Sequence, residues 1–179
     1  MLKKESTGLI VIDVQGKLAC MVHDSEVLVA NCGKLIKGAQ ALGLPIIWLE
    51  QNPVKLGATV AEISALLAEQ TPTLKFTFDA CETPLFIEQV KAANIDNWLI
   101  CGIEAHICVY QTALHLQQLG YKVQLVSDCV SSRTLANKHL AINKLDNRGI
   151  DISGLEMCLY ELVKDCRVDE FKEILALIR

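Results

Sequence analysis

Short apolar runs without polar alternation recur along this chain, separated by stretches whose apolar residues return every three or four positions. Runs of the first kind suit strands buried on both faces of a parallel sheet, and the second pattern marks amphipathic helices. Residues 8–13 (GLIVID) predict a first strand that ends on the carboxylate of Asp13. A helix over 25–42 follows, closed by Gly43, and Pro45 opens a second strand over 45–49. Residues 50–53 (EQNP) read as a turn-rich loop, and 59–70 as a helix with Val60, Ile63, Leu66 and Leu67 on one side. The segment 73–79 (TLKFTFD) is strand-like and carries Lys75 among apolar and aromatic residues. Thr83 and Pro84 then start a helix, with a capping hydroxyl followed by proline at the first helical position.

The run at 98–101 (WLIC) predicts another buried strand, and after Gly102 the period becomes helical through Val109, Ala113 and Leu116 to a stop at Gly120. Cys108 therefore falls in or just before the first turn of a helix, at the carboxyl end of a strand. A strand over 122–127, a loop over 128–133 (DCVSSR), a helix over 134–147, a short strand over 150–153 and helices over 154–164 and 168–178 complete the pattern. The alternation predicts an α/β fold: one domain over 1–179, a three-layer α/β/α sandwich around a mostly parallel, Rossmann-like sheet of about six strands.

Composition narrows the function classes. The hydrophobic fraction of 51% and mean hydropathy of +0.32 are high for a soluble chain of 179 residues. The excess is expected in buried strands and in a subunit interface, giving a homo-oligomer of two or more copies. A formal charge of −4 and no basic run argue against nucleic acid as a partner. No membrane span is expected, since Asp13 interrupts the most apolar N-terminal run. The opening MLKKESTGLI lacks a secretory pattern, and eight cysteines contain no CxxC or CxC pair. Reduced thiols in a cytoplasmic setting follow, with structural zinc and redox-dithiol readings both weak. His23, His115 and His139 read as surface or packing residues.

Open α/β sheets bind ligands at the carboxyl ends of their strands, where Asp13, Lys75 and Cys108 all lie, with Gln15 close behind Asp13. Each has an ordinary reading: a capping aspartate, a lysine whose ammonium reaches water, an inert buried thiol. Together they suit a nucleophile, its base and the cation that keeps the base ionised. Unpaired N–H groups and the helix dipole at the start of the helix are expected to favour a Cys108 thiolate. A dinucleotide site would need Gly-x-Gly-x-x-Gly after the first strand, and a phosphoacceptor domain would need clustered carboxylates there; this chain has neither.

Gly-Ile-Glu-Ala-His-Ile-Cys-Val at 102–109 resembles the nucleophile loop of the isochorismatase-like cysteine hydrolases. The resemblance extends from LIVIDVQ to LVSDCVSSR, and Glu156-Met157 with Phe171-Lys172-Glu173-Ile174 are similar to the isochorismatase domain-containing subgroup. It implies an Asp13-Lys75-Cys108 triad, an oxyanion site at the backbone N–H groups of Glu104 and Cys108, and a cis peptide bond between Ile103 and Glu104. It implies hydrolysis of a small amide, ureide or imide through a covalent Cys108 intermediate, without a cofactor. Gln15, Phe76 and His106 are expected near the substrate. The nicotinamidase branch places Asp-x-His-x-x-x-His after the second strand to hold a metal; residues 48–53 (WLEQNP) contain no histidine, so no metal is expected there. Isochorismatase proper does not use the cysteine, so Cys108 also argues against a vinyl ether substrate. The alternative is a non-catalytic binding or assembly module that retains an idle triad.

Overall fold

The computed structural model describes residues 1–179. Six strands form one sheet: β1 (Thr7–Ile12), β2 (Ile46–Gln51), β3 (Thr73–Lys75), β4 (Asn97–Ile103), β5 (Lys122–Ser131) and β6 (Asp151–Ser153). They lie in the order β3-β2-β1-β4-β5-β6, and every neighbouring pair is parallel. The chain winds outward from β1 to β3, crosses back to lay β4 beside β1, and winds outward the other way. The reversal between β1 and β4 opens a crevice at their carboxyl ends, where such sheets bind ligands.

Alternation along the strands divides the core between the two faces. Leu9 and Val11 of β1 join Leu99 and Cys101 of β4 beneath α2 (Ser25–Ala41), α8 (Leu155–Val163) and α9 (Glu170–Ile178). Ile10, Ile12, Trp98 and Ile100 face α5 (Pro84–Ala92), α6 (Tyr110–Gln118) and α7 (Leu135–Asp146). Three short helices, α1 (Gly16–Met21), α3 (Pro53–Leu56) and α4 (Ala61–Ser64), flank the carboxyl ends of β1 and β2.

Four boundaries differ from the sequence reading for local reasons. β2 continues through Glu50 and Gln51, because Gln51 pairs with Lys75 across the sheet. β3 stops at Lys75, since the Phe76 and Thr77 carbonyls accept from the Gln51 and Lys75 side chains rather than from a neighbouring strand. The helix expected over 59–70 starts at Ala61, because Glu50 Oε1 holds both the N–H (2.7 Å) and the hydroxyl (2.8 Å) of Thr59. β5 also runs beyond its predicted end, to Ser131, across a register shift against β4 between Ile100 and Gly102.

Gly102 stands at that shift with φ of +116°, and a Cβ there would lie 1.9 Å from the Ile12 carbonyl oxygen. No side chain fits this contact without moving β1 away from β4. Gly102→Ala is therefore expected to cost roughly 2–5 kcal/mol, combining the unfavourable φ with overpacking. Gly43 also has positive φ but open space around it, so Gly43→Ala should cost only about 1 kcal/mol. Urea midpoints of the two variants check the difference.

Candidate active site

Lys75 ends β3, two strands away from Asp13, and its side chain crosses the end of β2 to reach the carboxylate. Its Nζ lies 2.7 Å from Asp13 Oδ2, with the two side chains 0% and 2% exposed. The ammonium donates to Gln51 Oε1 at 2.7 Å and to the Thr77 carbonyl at 3.3 Å. At its 2.7 Å distance from Oδ2 the ammonium is the direct charged partner of the Asp13 carboxylate. Asp13 itself has φ of 53°, in the left-handed region that aspartate tolerates better than most residues.

Gln51 organises this cluster. Its Nε2 donates to the Phe76 carbonyl at 2.8 Å, and its own N–H donates to Gln15 Oε1 at 2.6 Å. Gln15 returns hydrogen bonds from Nε2 to the carbonyls of Gln51 and Gly57. One glutamine thus fixes the lysine while the other fixes the strand end that carries it.

Cys108 enters from β4. The Ile103–Glu104 peptide bond is cis, and a single π-helical turn over Ala105–Val109 precedes α6, with the Val109 N–H reaching the Glu104 carbonyl at 3.3 Å. Such turns often occur at functional sites. The Glu104 N–H donates to no acceptor within the protein. The Glu104 carboxylate accepts from the Arg133 N–H at 3.1 Å and from Arg133 Nε at 3.2 Å, tying the nucleophile turn to the segment after β5. Ser131 and Ser132 extend the tie to His23: the Ser131 hydroxyl donates to the His23 carbonyl, and the His23 N–H donates to Ser132 O.

Asp13 and Cys108 line one small pocket of about 80 Å³. Gln51 and Glu104 are its other polar residues, and Leu18, Leu56, Phe78, Ile103 and Ile107 supply apolar walls. Larger hollows of about 450 and 530 Å³ contain none of the three triad residues. Burial raises the Asp13 carboxyl above its ordinary range, with Lys75 acting in the opposite direction. Burial, followed by the Asp13 carboxylate, pushes the Cys108 thiol up to about 12. The helix-start argument for a resting thiolate therefore gives the wrong sign, because desolvation and a neighbouring anion outweigh an irregular first turn. Cys108 rests as a thiol.

Gln15, Phe76 and His106 do not line this small pocket. Gln15 is buried beneath the site, Phe76 is 72% exposed and contributes its carbonyl, and His106 Nδ1 pairs with Ser132 Oγ at 2.9 Å. Phe78 takes the aromatic position, because the chain bends after Lys75 instead of continuing as a strand. Gln51, Phe78 and Arg133 are the residues that sequence reasoning missed. The signal for Gln51 was its place as a polar residue directly following an apolar strand.

A buried aspartate at the first strand end, a lysine reaching it and a cysteine after the fourth strand define a candidate hydrolytic centre on a doubly wound sheet. Residues 7–157 match the Isochorismatase domain, and the chain belongs to that family and has the fold of its hydrolases. Within it, the chain groups with the isochorismatase domain-containing proteins. Isochorismatase domain-containing protein 2B of Mus musculus is 31% identical over 175 residues, covering 98% of this chain and 82% of the relative. The secreted isochorismatase effector Isc1 of Phytophthora sojae is 33% identical over 180 residues, covering 97% of this chain and 85% of the relative. The solved MAR1 ribonuclease of Caenorhabditis elegans superposes with a TM-score of 0.93 at 33% identity, covering 99% of this chain and 91% of that one. No helix is long and apolar enough to cross a membrane.

Lys75→Met keeps the aliphatic stem but removes the charge that opposes the upward shift of Asp13. The Asp13 carboxyl should then rise further, so its ionised fraction is lost at a higher pH. The acidic limb of Cys108 alkylation is expected to move up by about one pH unit or more, equivalent to about 1.4 kcal/mol. Rate constants for iodoacetamide between pH 5 and 9 check this, and an unmoved limb would leave Lys75 outside the proton chemistry.

Proposed function

We propose that this chain is a cysteine hydrolase acting on a C–N bond of a small amide, ureide or imide, with Cys108 as nucleophile, Asp13 as base and Lys75 as the cation that holds Asp13 ionised. The observation that carries the reading is the Asp13 carboxylate: buried, paired with Lys75 at 2.7 Å, and sharing a pocket with the thiol. A buried carboxylate held beside a thiol is placed to take the thiol proton during attack.

In this mechanism Sγ attacks the carbonyl or imine carbon while its proton passes to Asp13. Negative charge develops on the substrate oxygen or nitrogen, where the N–H groups of Glu104 and Cys108 would receive it. Collapse expels the amine, which takes the proton from Asp13. Water then attacks the thioester, Asp13 accepts its proton, and the acid product leaves with Cys108 restored as a thiol. The reaction requires no metal at the position used by the nicotinamidase branch, because Glu50 is engaged by Thr59 and Gln51 by Lys75 and Phe76. A pocket of about 80 Å³ in a chain of net charge −4 suits a compact ligand rather than a polyanion, so the ribonuclease description of the nematode relative is not carried over.

A thiol pushed up to about 12 favours a second reading, in which the triad is idle and the fold serves as a binding or assembly module. Alkylation separates the two. If Asp13 accepts the proton, Cys108 should react faster than the exposed Cys20 and Cys166, with a rate nearly flat between pH 7 and 9. Asp13→Asn should lower that rate by ~10²-fold and restore the tenfold rise per pH unit of a free thiol. Cys108→Ala should abolish turnover in a screen of small amides and imides. Modification of Cys108 no faster than of Cys20 would sink the hydrolase reading.

Self-association belongs to the same proposal. Leu74, Phe76, Phe78 and Leu85 are exposed, and Phe78 also lines the pocket, so an interface that buries them would close the pocket's outer side. Sedimentation should give a dimer or larger species at micromolar concentration, and a monomer would remove this expectation.

A further inference from the structure

We propose that Asp79, Cys81 and His115, with Glu82 as a fourth donor, form a zinc site outside the reaction pocket. One donor atom from each of the first three residues lies within 4.8 Å of the others. His115 Nδ1 is 2.7 Å from Asp79 Oδ2 and 3.9 Å from Glu82 Oε1, and no other cationic side chain lies within 4.0 Å of either carboxylate. A thiol, an imidazole and carboxylates make a borderline-soft set that suits Zn²⁺ rather than the all-oxygen cages of Ca²⁺ or Mg²⁺. Tetrahedral zinc with bonds of about 2.0–2.3 Å separates its donors by roughly 3.3–3.7 Å. The present spacings bracket that range, and rotation of three surface-facing side chains closes the difference.

The scaffold for the site exists without the ion. Asp79 and Cys81 flank Ala80 on a short 3₁₀ turn, whose Ala80 N–H donates to Thr112 Oγ1 at 3.0 Å. The Cys81 thiol rests 3.9 Å from the Thr112 carbonyl, and its N–H is held by Asp79 Oδ1 at 2.9 Å. Thr112 and His115 are three residues apart on α6 and share a face. The helix that docks the turn therefore also presents the imidazole. Access is open from one side, with the His115 and Asp79 side chains 29% and 18% exposed while Cys81 forms the floor. The reading of His115 as a packing residue gives way here to that of a ligand.

Zinc would enter at the expense of the His115–Asp79 hydrogen bond and release the Cys81 thiol proton to solvent, forming the Zn–S bond. The bound ion would join the turn to α6, and Phe78, a wall of the reaction pocket, immediately precedes the first ligand. The site thus fastens the bent segment that begins at Lys75.

The test is a Co²⁺ titration of the reduced, chelator-treated full chain, followed by displacement with Zn²⁺. One equivalent should bind and give the ligand-field bands of tetrahedral cobalt with a thiolate charge-transfer band. That band should persist in Cys108→Ala and vanish in Cys81→Ser, while His115→Gln should weaken binding at least tenfold. As a measurement on the unaltered chain, Zn²⁺ should slow alkylation of Cys81 without slowing that of Cys20. Absence of one-to-one binding, a charge-transfer band that survives Cys81→Ser, or Cys81 alkylation unmoved by Zn²⁺ would each overturn the proposal.

Discussion

The ion pair between Asp13 and Lys75 is the constraint around which the carboxyl end of this sheet is arranged. Two charges removed from water are each costly, and their mutual attraction offsets that cost only with good geometry and further hydrogen bonds. Lys75 receives a glutamine oxygen and a carbonyl in addition to the carboxylate. Asp13 meets the ammonium on one side and shares its pocket with the Cys108 thiol. A buried carboxyl group set between a fixed cation and a thiol costs stability and is suited to moving a proton.

Sheet topology makes the pair possible. Lys75 ends an edge strand, and only the intervening β2 separates it from β1. A lysine side chain spans that gap, and Gln51 at the end of β2 supplies a polar bridge halfway across. Cys108 arrives on the other side of β1 because β4 pairs with β1 in register from Thr7 to Ile12. Gly102 permits this pairing at its closest point, next to the Ile12 carbonyl. Cys108 and Asp13 are therefore brought together mainly by backbone geometry, and Lys75 by side-chain reach.

Much of this was legible in the sequence. Continuous apolar runs identified the strands because both faces of a parallel sheet are covered, and residues that follow such runs lie at the ligand-binding edge by topology alone. That placed Asp13, Lys75 and Cys108 near the edge, and the resemblance of residues 102–109 and the chain around them to a known family singled the three out. Phe78 could not be picked out, because its inward position depends on a bend caused by side chains competing for the carbonyls of Phe76 and Thr77. The protonation state of Cys108 was also beyond reach, since it reflects the balance of burial and a through-space anion against a helix terminus. Gln51 was obscured by its neighbours: Asn52 and Pro53 signal a turn, and the strand extends two residues into that signal.

The apolar walls of the pocket come from Leu18, Leu56, Phe78 and Ile107, residues on separate segments that take no part in the charge network. In the proposed mechanism, recognition and proton chemistry would be carried by different parts of the chain. A substitution in any one wall can reshape what is admitted without disturbing the ion pair behind it. Such a partition would let the walls change by small steps while the Asp13–Lys75 pair stays fixed.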